Sequence, residues 1–346
     1  MRCADTFFVC LLFTPPTSAG DNRWPGRLAL RARNPGSLII QKDDRRLSPE
    51  ELNHEFGIAG VVTFAEGEGG MPRLRVDNRA ARAEISLHGG QVLAYRPLAA
   101  SHALLFLSER AWFRPDKAIK GGIPVCWPWF GDDPEGRGRP AHGFARIAEW
   151  SVLRTAQLAP GHTRVVLGLE DDAATRALWP HAFRLTLTLD IADTLALSLA
   201  TTNTGDKPFR ITQALHTYFA VGAIDAVSVN GLDGCRYLDK VRGFAEGRQT
   251  GPVTFAAEVD RIYQGVERDL SINDTSLGRS ILIRPGNSTT AVAWNPWAEI
   301  STAAQDLADD AYRRFVCVET ANAGDEIVNI APGAEYALSV SYRVSS

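Results

Sequence analysis

Several segments of the chain alternate strictly between apolar and polar residues, the period-two pattern of strands that bury one face. The pattern is clearest in two runs, FRLTLTLD at residues 183–190 and TLALSLA at residues 194–200. Asp193 between the runs suits a tight turn, so we predict a β-hairpin here. The same alternation continues through EYALSVSYRV near the C-terminus, which predicts a further strand.

Strand-like segments recur along the chain from about Leu52 onward, with turn signals between them. ARAEISLHGGQVLAYRP, at residues 81–97, reads as two strands joined at Gly89 and Gly90. Strands do not alternate with long helices, which argues against a parallel sheet. We therefore predict an all-β fold, a large antiparallel sandwich in one domain over residues 51–346. We expect few short helices, with residues 302–314 as the best candidate.

The first fifty residues differ from the rest of the chain. They contain a short apolar run, FFVCLLF at residues 7–13, followed by a stretch of mixed charge with Pro and Gly and no sustained period. We predict a poorly ordered N-terminal extension over residues 1–50 and a cytoplasmic protein. The alternative is a signal peptide and export, but the apolar run is short and has only Arg2 as a basic residue before it.

Composition and charge exclude several classes of protein. The 346 residues are 45% hydrophobic, enough for a large core, and the formal net charge is only −3. Basic residues are interspersed with acidic ones, so we expect no nucleic-acid partner and no membrane-binding face. The five cysteines form no CxxC pair, and histidines lack metal-ligand spacing, so we expect no metal site and no disulfide framework.

The segment KGGIPVCWPWFG, at residues 120–131, is too interrupted by Gly and Pro for a helix or a central strand. Lys120 begins it, Arg146 follows in HGFAR, and Arg114 and Lys117 precede it. Cations that frame one such loop suit a phosphate or another anion. The alternative is that each is a solvated surface charge.

Three further residues are candidates for chemistry. His216 lies in LHTYF, His142 in HGFAR, and Glu319 ends an apolar strand in RFVCVET. A buried carboxylate must be paired, hydrogen-bonded or at the edge of a cavity. Taken alone, a histidine in an aromatic-rich β segment is more often a hydrogen-bonded structural residue than a catalyst. The tryptophans nearby suit core packing or the apolar face of a sugar.

The chain resembles the aldose 1-epimerase superfamily in six motifs that occur in the same order. They are KGGIPVCWPWFG, HGFAR, LHTYF, VNGLDG, WNPW and VCVET. The chain is most similar to the hexose-6-phosphate mutarotase (glucose-6-phosphate 1-epimerase) branch, from about residue 55 to the C-terminus. One departure is Lys120, where that branch usually has Arg, so the bidentate fork is lost. The resemblance implies a galactose-mutarotase-like antiparallel supersandwich with a sugar cleft on one concave face.

The resemblance also implies roles for individual residues. His216 matches the catalytic acid and Glu319 the catalytic base, while His142 matches a contact near the sugar ring. The other implied substrate-binding residues are Lys120 and Arg146 for the phosphate, Asp233 or Asp239 for sugar hydroxyls, Gln91 in a cleft-lining motif, and Trp129 in the aromatic wall.

The activity implied is interconversion of the α and β anomers of a hexose 6-phosphate, glucose 6-phosphate first. An ionised Glu319 and a protonated His216 would serve as base and acid at neutral pH. Such an isomerase needs no cofactor and no partner beyond a small sugar phosphate, and we expect a monomer. Two alternatives stay open: a mutarotase for free aldoses, and a non-catalytic carbohydrate-binding or regulatory protein. A polysaccharide lyase is more distant, because no Tyr/Arg/Asn set for β-elimination is evident.

Overall fold

The computed structural model describes residues 47–345. All but the last four residues of the predicted N-terminal extension, including the apolar run at residues 7–13, lie outside this range. The extension and its boundary at residue 50 therefore stay predictions.

Antiparallel strands make up most of the regular secondary structure of the described chain. They are β1 (Val62–Glu66), β2 (Pro72–Asp77), β3 (Ala81–Ser86), β4 (Gln91–Pro97), β5 (Val125–Cys126), β6 (Ser151–Ala159), β7 (His162–Glu170), β8 (Phe183–Ile191), β9 (Thr194–Asn203), β10 (Phe209–Ile211), β11 (Gln213–Leu215), β12 (Tyr218–Ala220), β13 (Val227–Asn230), β14 (Arg236–Asp239), β15 (Ala245–Arg248), β16 (Val253–Thr254), β17 (Val259–Gln264), β18 (Leu270–Asp274), β19 (Arg279–Gly286), β20 (Thr290–Asn295), β21 (Phe315–Asn322), β22 (Val328–Ile330) and β23 (Glu335–Ser345).

The helices within residues 47–345 are short. The α-helices are α1 (Pro49–Phe56), α2 (Ala173–Leu178) and α3 (Trp297–Ala303). Single 3-10 turns occupy Glu68–Gly70, Ala145–Ile147, Ile224–Ala226, Lys240–Arg242 and Ala311–Arg314. None of the helices in this part of the chain is long and apolar enough to cross a membrane.

Helix α1 was not predicted, because its sequence PEELNHEF lies where the chain passes from the predicted extension to the strands. A capping box explains it: the Ser48 hydroxyl accepts the Glu51 N–H, and the Glu51 carboxylate accepts the Ser48 N–H. The Asn53 side chain then bonds both the N–H and the C=O of Phe64, which joins the helix to β1.

The predicted helix at residues 302–314 is wrong over most of its length. The helix starts earlier, at Trp297, where the Asn295 side chain accepts the Trp297 N–H and α3 then ends at Ala303. The Asn295 amide also donates to the C=O groups of Tyr312 and Phe315. These tertiary hydrogen bonds set the ends of the segment, and a sequence pattern does not show them.

The predicted hairpin is confirmed. Strands β8 and β9 pair antiparallel from Phe183 opposite Asn203 to Ile191 opposite Leu195. They lie in a nine-stranded sheet of order β16-β13-β18-β19-β23-β9-β8-β7-β6. The predicted strands on either side of Gly89 and Gly90 are also confirmed, as β3 and β4 of a four-stranded sheet of order β1-β2-β3-β4.

A second large sheet, of eight strands, has the order β15-β14-β17-β20-β21-β11-β5, with β12 also paired to β21. Its core face packs on the nine-stranded sheet. Phe219 of β12 contacts Tyr342 of β23 edge to face at 5.2 Å, and the Trp127 Nε1–H donates to the Thr201 hydroxyl of β9 at 3.1 Å. The described chain is thus the predicted all-β antiparallel sandwich. The face of the eight-stranded sheet that points away from this core is not used for packing the two sheets together, so a functional site can form on it.

Candidate active site

The strand register of the eight-stranded sheet collects polar and aromatic residues on the face that points away from the core. Asp260 of β17 lies opposite Trp294 of β20, and Trp294 lies opposite Cys317 of β21. Tyr218 of β12 lies opposite Cys317 from the other side. Cross-strand partners share a face, and so do residues two apart in a strand, so Glu319 joins this set.

Two small apolar clusters cover the same face on either side of these residues. Trp294 packs against both clusters and therefore links them. The buried members of the first are Cys126, Ala214, Ile262, Val292, Ala321 and Ala323, and those of the second are Tyr218, Leu307, Ala311, Phe315 and Cys317. The polar residues between the clusters are thereby shielded from solvent, which strengthens their electrostatic interactions.

A cavity of about 250 Å³ opens between the two clusters. It contains the predicted acid–base pair, a predicted ring contact and both predicted phosphate cations. The full lining is Lys120, Phe130, His142, Arg146, His216, Tyr218, Lys240, Asp260, Trp294 and Glu319.

Other recesses on the surface are larger but lack this chemistry. One of about 480 Å³ lies over β2, β3 and β4. Four of its five charged side chains pair with each other, Arg75 with Glu84 and Arg82 with Asp77, and no histidine lines it. We therefore regard the smaller cavity as the candidate active site.

His216 and Glu319 meet at the bottom of the cavity. His216 Nε2 lies 3.4 Å from Glu319 Oε1, with side chains 10% and 1% exposed. His216 Nδ1 and Glu319 Oε2 have no hydrogen-bond partner within the described protein. Two chain segments that are far apart in sequence thus place a base, an acid and two unpaired polar atoms at one point.

Burial and nearby charges shift the pKa values of both His216 and Glu319 away from the ionised Glu319 and protonated His216 expected from the sequence. Burial lowers the pKa of His216 well below its usual range, and the nearby Arg146 and Lys120 lower it further. Burial raises the pKa of Glu319 well above its usual range, with Asp260 adding to the shift. Both shifts favour the neutral pair, with the shared proton on Glu319, because desolvation penalises the charged form of each group.

Three cations line the cavity, and each has a protein acceptor in the free site. Lys120 Nζ lies 3.5 Å from an Asp306 carboxylate oxygen, and Arg146 donates to the Ala141 C=O at 2.7 Å. Lys240, which sequence reasoning missed, binds Asp260 at 2.7 Å.

The backbone that carries Lys120 is tightly held. Gln91 is fully buried, and its amide donates to the C=O groups of Ile119 and Gly121 at 3.1 and 2.7 Å. The Ser108 N–H donates to the Lys120 C=O at 3.0 Å. Gln91 does not line the cavity, so its observed role is to fix the loop rather than to contact a ligand.

The glycine pair after Lys120 lets the loop pack closely against neighbouring backbone. Gly122 has φ 62°, and a Cβ there would lie 2.2 Å from the Val92 C=O. Glycine is required because the loop passes directly against β4.

His142 has an unusual backbone and a fixed tautomer. Its φ is 61°, and the Gly131 N–H points to its Nδ1 at 3.4 Å, so Nε2 carries the proton. Burial lowers its pKa to about 3, and the positive charge of Arg146 contributes. His142 is therefore a neutral hydrogen-bond donor beside His216, whose ring centre lies 5.7 Å away.

Trp129 does not line the cavity. Its ring lies 4.3 Å from the Arg139 guanidinium centre, and its Nε1–H donates to the Pro140 C=O. The aromatic walls come instead from Phe130, Tyr218 and Trp294. In the segment PWF, the ring that faces the cavity is the third residue rather than the second.

Asp233 and Asp239 also lie off the cavity. Asp233 accepts the Gly251 N–H at 2.6 Å, and Asp239 lies 3.4 Å from Arg261 Nε. Asp239 and Arg261 are register partners, so Asp260, next to Arg261 in β17, faces the opposite side and enters the cavity. The sequence could have indicated Asp260, because it is an acidic residue inside the strand VDRIY and a buried carboxylate needs a partner.

The two suggested helper cations are elsewhere as well. Arg114 is exposed and pairs with Asp116, and Lys117 lies over the Trp112 ring. Within residues 47–345, no cluster of three or more His, Cys, Asp or Glu side chains could hold a metal ion.

Comparison with known proteins agrees with this geometry. A family model described as Aldose 1-epimerase matches residues 72–343. A protein of Escherichia coli (strain K12), provisionally named a glucose-6-phosphate 1-epimerase, is 38% identical over 251 residues, which are 72% of this chain and 83% of that protein.

Solved structures show the same fold. The crystal structure of YeaD from Salmonella typhimurium, provisionally named a mutarotase, matches with a TM-score of 0.77 at 32% identity, over 83% of this chain and 94% of that one. A galactose mutarotase related enzyme from Lactobacillus acidophilus matches with a TM-score of 0.63 at 15% identity, over 79% and 97%. The predicted galactose-mutarotase-like fold class is confirmed.

Proposed function

Since this chain is an isomerase that belongs to the aldose 1-epimerase family, we propose that it interconverts the α and β anomers of a hexose 6-phosphate. Glucose 6-phosphate is the first candidate, because the similar Escherichia coli protein carries that substrate in its name. One observation carries the proposal: three cations and a buried His–Glu pair line a single small cavity. A neutral sugar would offer no anion to Arg146, whose acceptor in the free site is the uncharged Ala141 C=O, or to Lys120, whose contact with Asp306 is 3.5 Å long.

In the proposed reaction, which starts from the arrangement with the shared proton on His216, Glu319 accepts the proton of the anomeric O1 hydroxyl while His216 donates a proton to the ring oxygen O5. The O1–H electrons form the C1=O1 bond, and the C1–O5 bond breaks, with its electrons on O5. The open aldehyde turns about C1–C2. Reclosure on the other face of C1 returns the O5 proton to His216 and the Glu319 proton to O1, so the pair ends as it began.

The remaining residues position the sugar. Lys120 and Arg146 hold the phosphate, and each charge-assisted contact contributes roughly 1.5–3 kcal/mol. His142 offers its Nε2–H to the ring region, and Asp260, held by Lys240, accepts hydroxyl protons. The rings of the cavity wall cover the apolar face of the sugar.

The reaction is tested by following anomerisation of freshly dissolved α-glucose 6-phosphate and α-glucose by polarimetry, side by side. We expect kcat/KM for the phosphorylated sugar to exceed that for glucose by a factor of about 10² or more. This factor corresponds to the free energy of one to two charge-assisted contacts. Equal values would favour the free-aldose mutarotase. Binding of both sugars without turnover would favour the carbohydrate-binding protein.

We also propose a cytoplasmic monomer. Cys126, Cys235 and Cys317 are free and buried, as suits a reducing compartment. The acid, the base and the cations of the proposed reaction all come from this chain, so the reaction needs no residue of a partner subunit. Light scattering of the purified protein tests the monomer, and cell fractionation tests the location.

A further inference from the structure

The proton shared by His216 and Glu319 has two possible places. With the proton on Glu319 both groups are neutral, and with the proton on His216 they form an ion pair. The number of protons is the same in both arrangements, so bulk pH does not choose between them. The choice depends on the difference in electrostatic potential between the two ends of the 3.4 Å contact.

The cavity charges are distributed unevenly over those two ends. Lys120 and Arg146 disfavour a charged His216, whereas Lys240 and Arg146 favour a charged Glu319. Lys120 thus acts at the histidine end and Lys240 at the glutamate end. Among the other titratable groups near the pair, His142 is neutral, Tyr218 is neutral and stacked on His216 at 4.9 Å, and Asp260 is bound to Lys240. Two buried thiols also lie near Glu319, those of Cys126 and Cys317, and burial raises the pKa of each so that both are neutral.

On the basis of the proposed function, we propose that the substrate's phosphate is part of the catalytic machinery. Bound between Lys120 and Arg146, the anion cancels the positive charge at the histidine end and moves the shared proton from Glu319 to His216. The reactive pair, a carboxylate base and an imidazolium acid, then forms when a phosphorylated sugar occupies the cavity.

The charge of a phosphate monoester supports this step. It is about −1.5 to −2 at neutral pH, enough to offset Arg146 together with the charge of Lys120 that the 3.5 Å contact with Asp306 leaves uncompensated. Lys240 stays paired with Asp260 and continues to stabilise an ionised Glu319. A change of about two pKa units in the proton equilibrium alters the population of the reactive pair about 100-fold.

The consequence is that phosphate changes kcat as well as KM. A phosphate that served only as a binding handle would lower KM and leave saturated turnover unchanged. Under our proposal, saturating free glucose turns over at least about 10-fold more slowly than saturating glucose 6-phosphate, because the proton remains on Glu319 in most molecules.

The experiment supplies the anion and the sugar separately. D-Xylose, which has the pyranose ring without C6, is anomerised by the wild-type protein with and without phosphite dianion. We expect phosphite to raise the enzymatic rate on xylose by about 10-fold or more. No increase, or inhibition alone, while glucose 6-phosphate is turned over rapidly would overturn the proposal and leave the proposed function intact. Absence of turnover of glucose 6-phosphate would overturn the proposed function itself.

A second measurement is independent of turnover. The ¹⁵N chemical shifts of the His216 ring, assigned with His216→Gln, report its protonation directly. Phosphite alone should move the ring toward imidazolium, and Lys120→Ala should remove most of that response. Arg284→Ala is the matched control, since Arg284 is 62% exposed and pairs with Asp269 on the other large sheet. An unchanged His216 spectrum at a phosphite concentration that saturates the site would overturn the proposal.

Discussion

Strands β8 and β9 of the nine-stranded sheet bury every second side chain and leave the others half-exposed or exposed, whereas β21 of the eight-stranded sheet buries all eight. The first sheet has one face in the core and one toward solvent. The second has a core face and an opposite face enclosed by two apolar clusters and the loops around them.

This difference decides where chemistry is possible. Polar side chains on the outer face of the nine-stranded sheet, such as Arg164 and Asp190, form an ion pair at the surface. Such exposed pairs contribute little to stability. Glu319 and His216 are desolvated on the enclosed face, so their pKa values shift and their interaction with nearby charges is strong. Substitutions in the two sheets should therefore affect different properties.

The largest expected effect is on stability, from Leu187→Ala in β8. Leu187 is fully buried between its register partners Leu167 and Leu199. Truncation leaves a cavity and should lower the free energy of unfolding by about 2–5 kcal/mol. Urea unfolding measures the loss, and kcat of the folded fraction should not change. A large fall in kcat with normal stability would contradict the division between the sheets.

Next in size is the loss of catalysis in Glu319→Gln. Replacing the base should lower the anomerisation rate by at least about 10², the usual contribution of a positioned acid or base. His216→Ala should cost as much. Polarimetry gives the rates and circular dichroism checks folding. Glu335→Gln is the control, because Glu335 is exposed on β23 and bonds only Thr202 among the described residues. Normal turnover by Glu319→Gln would rule out the mechanism.

Arg146→Ala should weaken binding of the phosphorylated substrate by about 10–100-fold, since it removes one or two charge-assisted hydrogen bonds to the phosphate. The quantity to measure is the ratio of kcat/KM for glucose 6-phosphate over glucose, which should fall by that factor. Arg164→Ala, on the nine-stranded sheet, should leave the ratio unchanged. If the ratio also stays the same in Arg146→Ala, the free-aldose mutarotase becomes the better assignment.

The smallest expected effect is a pH dependence of stability from His142. Its pKa is about 3 when folded and about 6.5 when unfolded, so between these values only the unfolded chain binds the proton. Lowering the pH from 7 to 5 should therefore cost up to about 2 kcal/mol of folding stability, and less in His142→Asn. Asparagine tolerates the positive φ at this position.

Urea unfolding at both pH values measures this difference, and His162→Asn on the nine-stranded sheet is the control. If His142→Asn keeps the full pH slope of the wild type, the buried, neutral state assigned to His142 is wrong.

Much of the fold was determined by local sequence pattern. The alternation in residues 183–200 specified two strands, their turn and the side of each that is buried, because a period of two admits only one pleated arrangement. The motifs around His142, His216 and Glu319 also indicated residues that the fold brings to one cavity. Helix α1 and the bounds of α3 escaped prediction, since they depend on capping and on hydrogen bonds from Asn53 and Asn295.

Only the tertiary structure decided which neighbouring residue enters the cavity. Asp260 faces it and Asp239 does not, Phe130 faces it and Trp129 does not, and Gln91 supports the Lys120 loop from behind. Sequence places each residue on one side of a strand or the other, but the face that becomes enclosed is set by what packs over it. Protonation follows the same rule: the proton lies on Glu319 rather than His216 because of burial and of charges contributed by distant segments.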